Sequence, residues 1–315
     1  MSIGDVLVEL DAWPVDRAAG AFIGGDGRTT HGDPSGVFRL ASVSKLLTSY
    51  AVAMAVEEGA FGFDDTVKLE NYEGDTPPTV RQLLAHAGGV AFGEWAQQKA
   101  PETRRIYSSA GYEMLAAFLE AKTGIGFADY CQEGLNEPLG MNVDFSGSAG
   151  HGFSGSVDDL AAFAAEVLEP KLLAPETVAE MVSVQYGELG GVVPGYGMFK
   201  PCPWGLGFEI HGSKGAESTA DAGKHWLAPS MPAEVAGHFG QSGTFLWVAP
   251  EHKLAAVVLT DRDFGDWAKP LWAPFNERLW EAAGYPEEPT NRSARSAWPQ
   301  RGPRRTGYAP CSPPR

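Results

Sequence analysis

The hydrophobic pattern changes period along the chain. In residues 3–11, Leu7 and Leu10 are spaced for one helical face, which predicts a short N-terminal helix. "AAGAFIGGDGRTTHGD" reads as a hairpin instead: apolar residues 21–23, a Gly/Asp turn over 24–27 and a polar return strand. "GVFRLAS" is a short strand or extended approach. Residues 44–59 are rich in Ala, Leu, Met and Glu and are apolar on nearly every face. That is the pattern of a core helix, and Gly59 suits its end.

Helical spacing dominates from residue 79 to about 182. "TVRQLLAHAGG" opens on a Thr cap and stops at a double Gly. "SAGYEMLAAFLEAKTG" places Tyr112, Leu115, Phe118 and Leu119 on helical spacing, and "GFADYCQEGLNEPLGM" follows. "SVDDLAAFAAEVL" starts with Ser156 as cap and Asp159 three residues on, close to a capping box. Near Trp204 the pattern becomes β-like. "WGLGFEI", "GHFGQSGTFLWVAP" and "KLAAVVLTDR" predict successive antiparallel strands, and residues 267–283 a closing helix.

Strands, then helices, then strands predict an α+β fold. An antiparallel sheet would be built from both ends of the chain, flanked by helices, with a mostly helical insertion as a second lobe. The expected division is a single domain over residues 1–288, with an α/β lobe about 1–65 and 200–285 and a helical lobe about 66–199. Residues 289–315 are rich in Pro, Arg and Ser and lack periodicity, so they are expected to form a disordered tail.

Charge narrows the partners. The 315-residue chain carries a net charge of −16, which repels nucleic-acid phosphates and anionic lipid. The tail alone holds six arginines (Arg292, Arg295, Arg301, Arg304, Arg305, Arg315) and no acid, leaving −16 − 6 = −22 on the rest. "MSIGDVLVELDAWP" has acids where a signal peptide needs a basic flank. The longest apolar run falls short of the ~20 residues of a spanning helix. A cytoplasmic protein is expected, with no nucleic-acid or membrane partner. Cys131, Cys202 and Cys311 are widely spaced and read as reduced packing residues.

The sequence lacks G-x-S-x-G, H-E-x-x-H and the P-loop pattern, and its seven histidines are scattered. No metal or cofactor is expected. What remains is Ser42-Val43-Ser44-Lys45, the only S-x-x-K in the chain, at the head of the apolar helix. A serine hydroxyl needs a base within hydrogen-bond reach. A lysine three residues on lies on the same helical face, and burial lowers its pKa toward that of a usable base. A helix N-terminus would also favour developing negative charge at Ser42.

Two further motifs follow in order: Tyr107-Ser108-Ser109 before a helix, and His238-Phe239-Gly240 on a β-like run. S-x-x-K, then Y-x-[NS], then H-x-G resembles the serine β-lactamase and penicillin-recognising superfamily. The nearest likeness is to class C β-lactamases, D-alanyl-D-alanine carboxypeptidases and related esterases. The resemblance covers about residues 15–280 and implies a β-lactamase/transpeptidase-like fold. It also implies that Ser42 is the acylated nucleophile, that Lys45 takes or relays its proton, and that Tyr107 is the partner base and later the acid for the leaving group, with Lys45 favouring its phenolate. The backbone N–H groups of Ser42 and Gln241 would form the oxyanion hole. Ser109, His238 and Gly240 would contact substrate, with Gly240 keeping the strand clear of side chains. Ser109 stands where the class C pattern prefers Asn, and His238 where β-lactamases usually carry Lys.

The expected function is a serine hydrolase, foremost a carboxylesterase for small esters. The alternatives are a β-lactamase or carboxypeptidase-like amide hydrolase, or a silent binding protein that keeps the pocket. An ordinary histidine is mostly neutral at pH 7.5 and gains charge toward pH 6. His238 is therefore expected to favour uncharged esters over carboxylate-bearing β-lactams, less so in mild acid. His86 in "LLAHAGG" is read as structural, holding the loop after its helix, and Trp204, Trp247, Trp267 and Trp272 as core or pocket wall.

Overall fold

The computed structural model describes residues 1–25, 27–212, 214 and 225–285. The tail expected at 289–315, with Cys311, lies outside the described residues.

The chain opens with α1 (Ile3–Leu7), closed by a capping box between Ser2 and Asp5, and continues as a 3-10 turn through Ala12. The helix expected over 3–11 is thus two short pieces. Strands β1 (Ala18–Gly24) and β2 (Gly27–His31) form the hairpin read from the sequence, closing on the Gly24–Gly27 pair. Next come β3 (Phe38–Arg39), a 3-10 turn over Ala41–Val43 and α2 (Ser44–Glu57), whose exit is Gly59 at a φ of 79°.

The middle of the chain holds α3 (Val80–Leu84), α4 (Ser109–Thr123), α5 (Phe127–Cys131), α6 (Glu137–Leu139), α7 (Val157–Leu168) and α8 (Pro175–Met181). Thr79 with Gln82 and Ser156 with Asp159 are complete capping boxes, each satisfying otherwise unpaired N-terminal N–H groups. The short strand β4 (Ser154–Gly155) pairs with β3. A hairpin, β5 (Gly191–Val193) and β6 (Gly197–Phe199), ends the lobe expected at about 66–199, past the stretch with helical spacing. Gly190, Gly191, Pro194, Gly195 and Gly197 crowd that segment, so no apolar alternation announces it.

The last third supplies β7 (Glu209–Ile210), β8 (Ala236–Gly240), β9 (Thr244–Ala249), β10 (Leu254–Thr260) and the closing helix α9 (Lys269–Ala282). The main sheet is antiparallel in the order β2-β1-β10-β9-β8-β7, so β1 from the N-terminal end pairs β10 from the other end.

Every residue of β9 and β10 is buried, because the sheet is covered on both faces. The strand period of two sorts these side chains. Ala255, Val257 and Leu259 join one core with Leu246, Val248 and residues of α2, α4 and α7. Ala256, Val258, Phe245 and Trp247 join a second core with Trp272, Phe275 and Leu279 of α9 and Val6 and Leu7 of α1. Helix α2 is buried from Ser44 through Ala53 against the first core, which explains why its sequence has no polar face there. Cys131 and Cys202 are buried free thiols. Among the described residues no helix is long and apolar enough to cross a membrane.

Candidate active site

Ser42 sits in the 3-10 turn that feeds α2, one turn before Lys45 on the helix itself. The residue before it, Ala41, is held at a φ of 46°, a conformation that costs a non-glycine residue about 1 kcal/mol or more. That strained corner presents the half-buried Ser42 while Val43 and Lys45 go into the core.

Several hydroxyls fix the corner. Ser242 Oγ donates to Arg39 O at 2.6 Å and Thr244 Oγ1 to Leu40 O at 3.1 Å, while Ser44 Oγ accepts from Phe153 N–H at 3.1 Å. Strand β8 packs on the same turn. A Cβ on Gly240 would stand 2.5 Å from Leu40 O and 3.1 Å from Ala41 Cβ. The glycine of H-x-G is therefore required by strand-to-turn contact. This packing also brings the backbone at Gln241, the next residue, beside the Ser42 turn.

Lys45 is fully buried, and its hydrogen-bond acceptors are uncharged. Its Nζ reaches Ser42 Oγ at 3.2 Å, Ser109 Oγ at 3.0 Å and Gly150 O at 2.6 Å, and lies 4.7 Å from the Tyr107 ring centroid. Burial lowers its pKa to about 7, with the Glu113 carboxylate opposing in part. Ser109, the first residue of α4, is thus buried and turned to the lysine.

Tyr107 lies just before α4. Burial pushes its phenol well above the ordinary tyrosine range, which a hydrogen bond with Ser42 only partly offsets. The phenolate expected from the neighbouring lysine is corrected here. The same burial that lowers the Lys45 pKa also disfavours the charged phenol, so Tyr107 stays a neutral phenol beside the lysine. His238, 2% exposed on β8, lies 3.5 Å from Tyr107 Oη through Nε2. Its Nδ1 is 2.6 Å from Phe239 O, a pure acceptor, so Nδ1 carries the proton and Nε2 accepts from the phenol. Burial, then the neighbouring Lys45, lowers the His238 pKa to about 3. The charge expected to appear on His238 toward pH 6 is corrected as well: the imidazole stays neutral across that range.

The structure thus gathers Ser42, Lys45, Ser109, Tyr107 and His238 into one cluster, with Gly240 and Gln241 behind the nucleophile turn. Sequence reasoning missed the Gly150 carbonyl, which as backbone has no residue signature. His86 is structural, as read, but its place is more specific. It holds a φ of 54°, its Nδ1 accepts from Ser108 N–H at 3.1 Å and its carbonyl accepts from Ile106 N–H at 2.9 Å. Its ring centroid lies 4.6 Å from that of Tyr107, so His86 grips the residues on both sides of the tyrosine. Among the described residues no group of three or more His, Cys, Asp or Glu could hold a metal ion.

A Ser–Lys–Tyr cluster around a buried lysine, beside strand β8 of an antiparallel sheet and between helices, defines a serine hydrolase of the penicillin-recognising type. The chain belongs to the Beta-lactamase family, whose family model matches residues 15–277. A β-lactamase from Mycobacterium bovis is 41% identical, superposes with a TM-score of 0.81, and is matched over 88% of this chain and 99% of its own. Penicillin-binding protein 4* of Bacillus subtilis (strain 168) is 27% identical over a match of 34% of this chain and 30% of that protein. The match thus spans under a third of that relative. A solved hydrolase with promiscuous acyltransferase activity is 18% identical with a TM-score of 0.68, covering 90% of this chain and 97% of its own, a likeness of fold.

Proposed function

We propose that the protein is a carboxylesterase that works through an acyl-enzyme on Ser42. The observation that carries this reading is the buried, uncharged His238. A β-lactam or D-alanyl peptide brings a carboxylate beside its scissile bond, and a neutral imidazole at 2% exposure offers no fixed charge to meet it. A simple ester makes no such demand, and its alkoxide leaves more readily than an amine.

The chemistry follows from the protonation states. With its pKa near 7, Lys45 is largely the free amine in mild base and takes the Ser42 proton at 3.2 Å as Oγ attacks the ester carbonyl. The ammonium so formed is met by Ser109 Oγ and Gly150 O. The carbonyl oxygen, now negative, is held by the backbone N–H groups of Ser42 and Gln241. Tyr107 donates its phenolic proton to the departing alkoxide and recovers one from Lys45. Water then attacks the acyl-enzyme by the reverse proton path, releasing the acid and restoring Ser42.

A β-lactamase is the second reading, favoured by the 41%-identical Mycobacterium bovis protein that bears that name. Two measurements decide. A fluorophosphonate is expected to label Ser42, and Ser42→Ala to lose turnover on the order of 10⁶-fold, as for the nucleophile of another serine hydrolase, while the fold persists. Between pH 6 and 8.5, kcat/KM for p-nitrophenyl butyrate is expected to exceed that for a chromogenic cephalosporin throughout. A cephalosporin value at or above ~10⁴ M⁻¹s⁻¹ with poor ester turnover would replace the esterase by the β-lactamase. Labelling of another serine would remove both.

A further inference from the structure

Beside Tyr107 lies an open groove of about 400 Å³. Its walls are apolar: Phe92, Ile106, Tyr107, Val192 and Pro194. Phe92 is 61% exposed and Val192 43%, and Met198, which pairs with Val192 across the β5–β6 hairpin, is 58% exposed. Large apolar side chains held this open beside a reactive centre point to an apolar ligand.

The walls are fixed in place. Phe92 O accepts from Ser109 N–H at 2.9 Å and Ala110 N–H at 3.0 Å, tying Phe92 to the start of α4, and its ring stacks on Tyr107 at 6.1 Å. Gly191 bridges to Arg105, and a Cβ on Gly191 would lie 2.7 Å from Arg105 O, so the hairpin is locked against the segment entering Tyr107.

Two cations, Lys99 and Arg104, line the same groove, and no carboxylate does. Both side chains are exposed, and neither is in an ion pair among the described residues. On a chain of net charge −16 such a pair is conspicuous. The Lys99 backbone is held, its N–H donating to Gly89 O at 3.1 Å, and Thr103 Oγ1, in the residue before Arg104, donates to Ala100 O at 2.7 Å. The neighbouring Arg105 is committed elsewhere. It is buried, and its guanidinium donates to the carbonyls of Cys202, Ala85, Gln185 and Tyr186.

We propose that this groove receives the leaving group, and that the preferred leaving group is an apolar, aromatic-sized alcohol carrying an anion at its far end. The proposal rests on the esterase reading for its chemistry: the groove borders Tyr107, the residue assigned to protonate the departing oxygen. It places anion recognition away from the scissile bond, where His238 supplies no charge, and at the rim, where Lys99 and Arg104 do. Phe92 and Val192 grip the apolar body, and the two cations read its terminal carboxylate.

Butyrate esters of phenol and of 3-hydroxyphenylacetic acid test this, since they share an acyl group and have leaving groups of similar basicity. The wild-type protein is expected to prefer the anionic ester. In Lys99→Glu/Arg104→Glu the ratio of the two kcat/KM values is expected to fall by at least about fivefold, the scale of two exposed charge pairs, and raised salt to shrink the wild-type preference. Preference for the neutral ester, or a ratio unmoved by charge reversal, overturns the proposal. A second arm is independent of turnover. Calorimetry is expected to detect 3-hydroxyphenylacetate binding to Ser42→Ala protein, weakened when Lys99→Glu/Arg104→Glu is added. Absent binding, or binding indifferent to the reversal, overturns the groove assignment. Failure of Ser42 labelling with binding intact would instead remove the esterase reading and leave the groove standing.

Discussion

Among the described residues two lysines are buried, Lys45 and Lys214, and their surroundings are opposite. Lys214 makes an ion pair with Glu209 at 2.9 Å and donates to Ile210 O at 2.6 Å and Pro203 O at 3.0 Å. Glu209 also accepts from His225 Nε2 and Trp226 Nε1, each at 2.8 Å. Burial works against the Glu209 charge, but Lys214 and His225 outweigh it and hold the carboxyl well below its usual range. Lys45 has only hydroxyls and a carbonyl within hydrogen-bond reach, and its pKa falls to about 7. The first arrangement keeps charge inside the fold by pairing it. The second removes the charge and leaves a base. Burial alone does not make a lysine reactive; burial without a carboxylate in contact does.

Exchanging each lysine for methionine should separate the two roles. Lys45→Met is expected to lose kcat/KM by 10³-fold or more, in the upper part of the usual general-base range, with stability unchanged or raised. The sign follows from linkage. A folded-state pKa below the unfolded value of 10.5 means the unfolded chain binds more protons between about 7 and 10.5, so Lys45 costs stability at neutral pH and the cost shrinks as pH rises. Lys214→Met leaves Glu209 buried without its cation and is expected to cost about 3–5 kcal/mol in urea unfolding. Equal destabilisation by both variants, or near-wild-type activity in Lys45→Met, would erase the distinction.

This contrast marks how far the sequence could be read. Ser42, Lys45, Tyr107 and His238 were legible because S-x-x-K, Y-x-S and H-x-G are local strings, and the sheet because β8 to β10 alternate or run apolar between Gly and Pro. The protonation states were not legible, since they depend on burial and on neighbours brought from far along the chain: Gly150 and Ser109 for Lys45, and Lys45 for His238. Nor was the Ala41 corner, because a positive φ at alanine violates local preference and is set by the turn and its braces. Glu209, Lys214 and His225 carry no motif at all, and only their contacts in the fold show that they form one group.

A pH profile sharpens the same comparison at smaller scale. Below about pH 7, kcat/KM for a neutral ester is expected to fall tenfold per unit as Lys45 becomes protonated, and to level off above pH 8. His238, held near 3, should add no second ionisation between pH 5.5 and 8.5. The decisive plot is log kcat/KM in that window for wild type and His238→Asn. An extra inflection near 6.5 that disappears in His238→Asn would show that the imidazole titrates in this window and carries charge in mild acid.

The smallest effect concerns a group that braces the nucleophile turn without taking part in proton transfer. Thr244 is buried on β9; its Oγ1 donates to Leu40 O at 3.1 Å and lies 3.2 Å from Ser242 Oγ. Thr244→Val keeps the shape and removes the donor. Leu40 O loses this partner, at a cost of about 1 kcal/mol or somewhat more. The turn that carries Ala41 and Ser42 loses one of its braces, while Lys45 keeps all of its hydrogen bonds. Stability should therefore drop slightly and kcat by a few fold, with KM and the pH inflection near 7 unchanged. If the inflection moved toward the ordinary lysine value, the brace would be sealing Lys45 from water as well as aiming Ser42. Thr244 would then belong with the machinery that tunes the base and not with the frame that pairs Glu209 and Lys214.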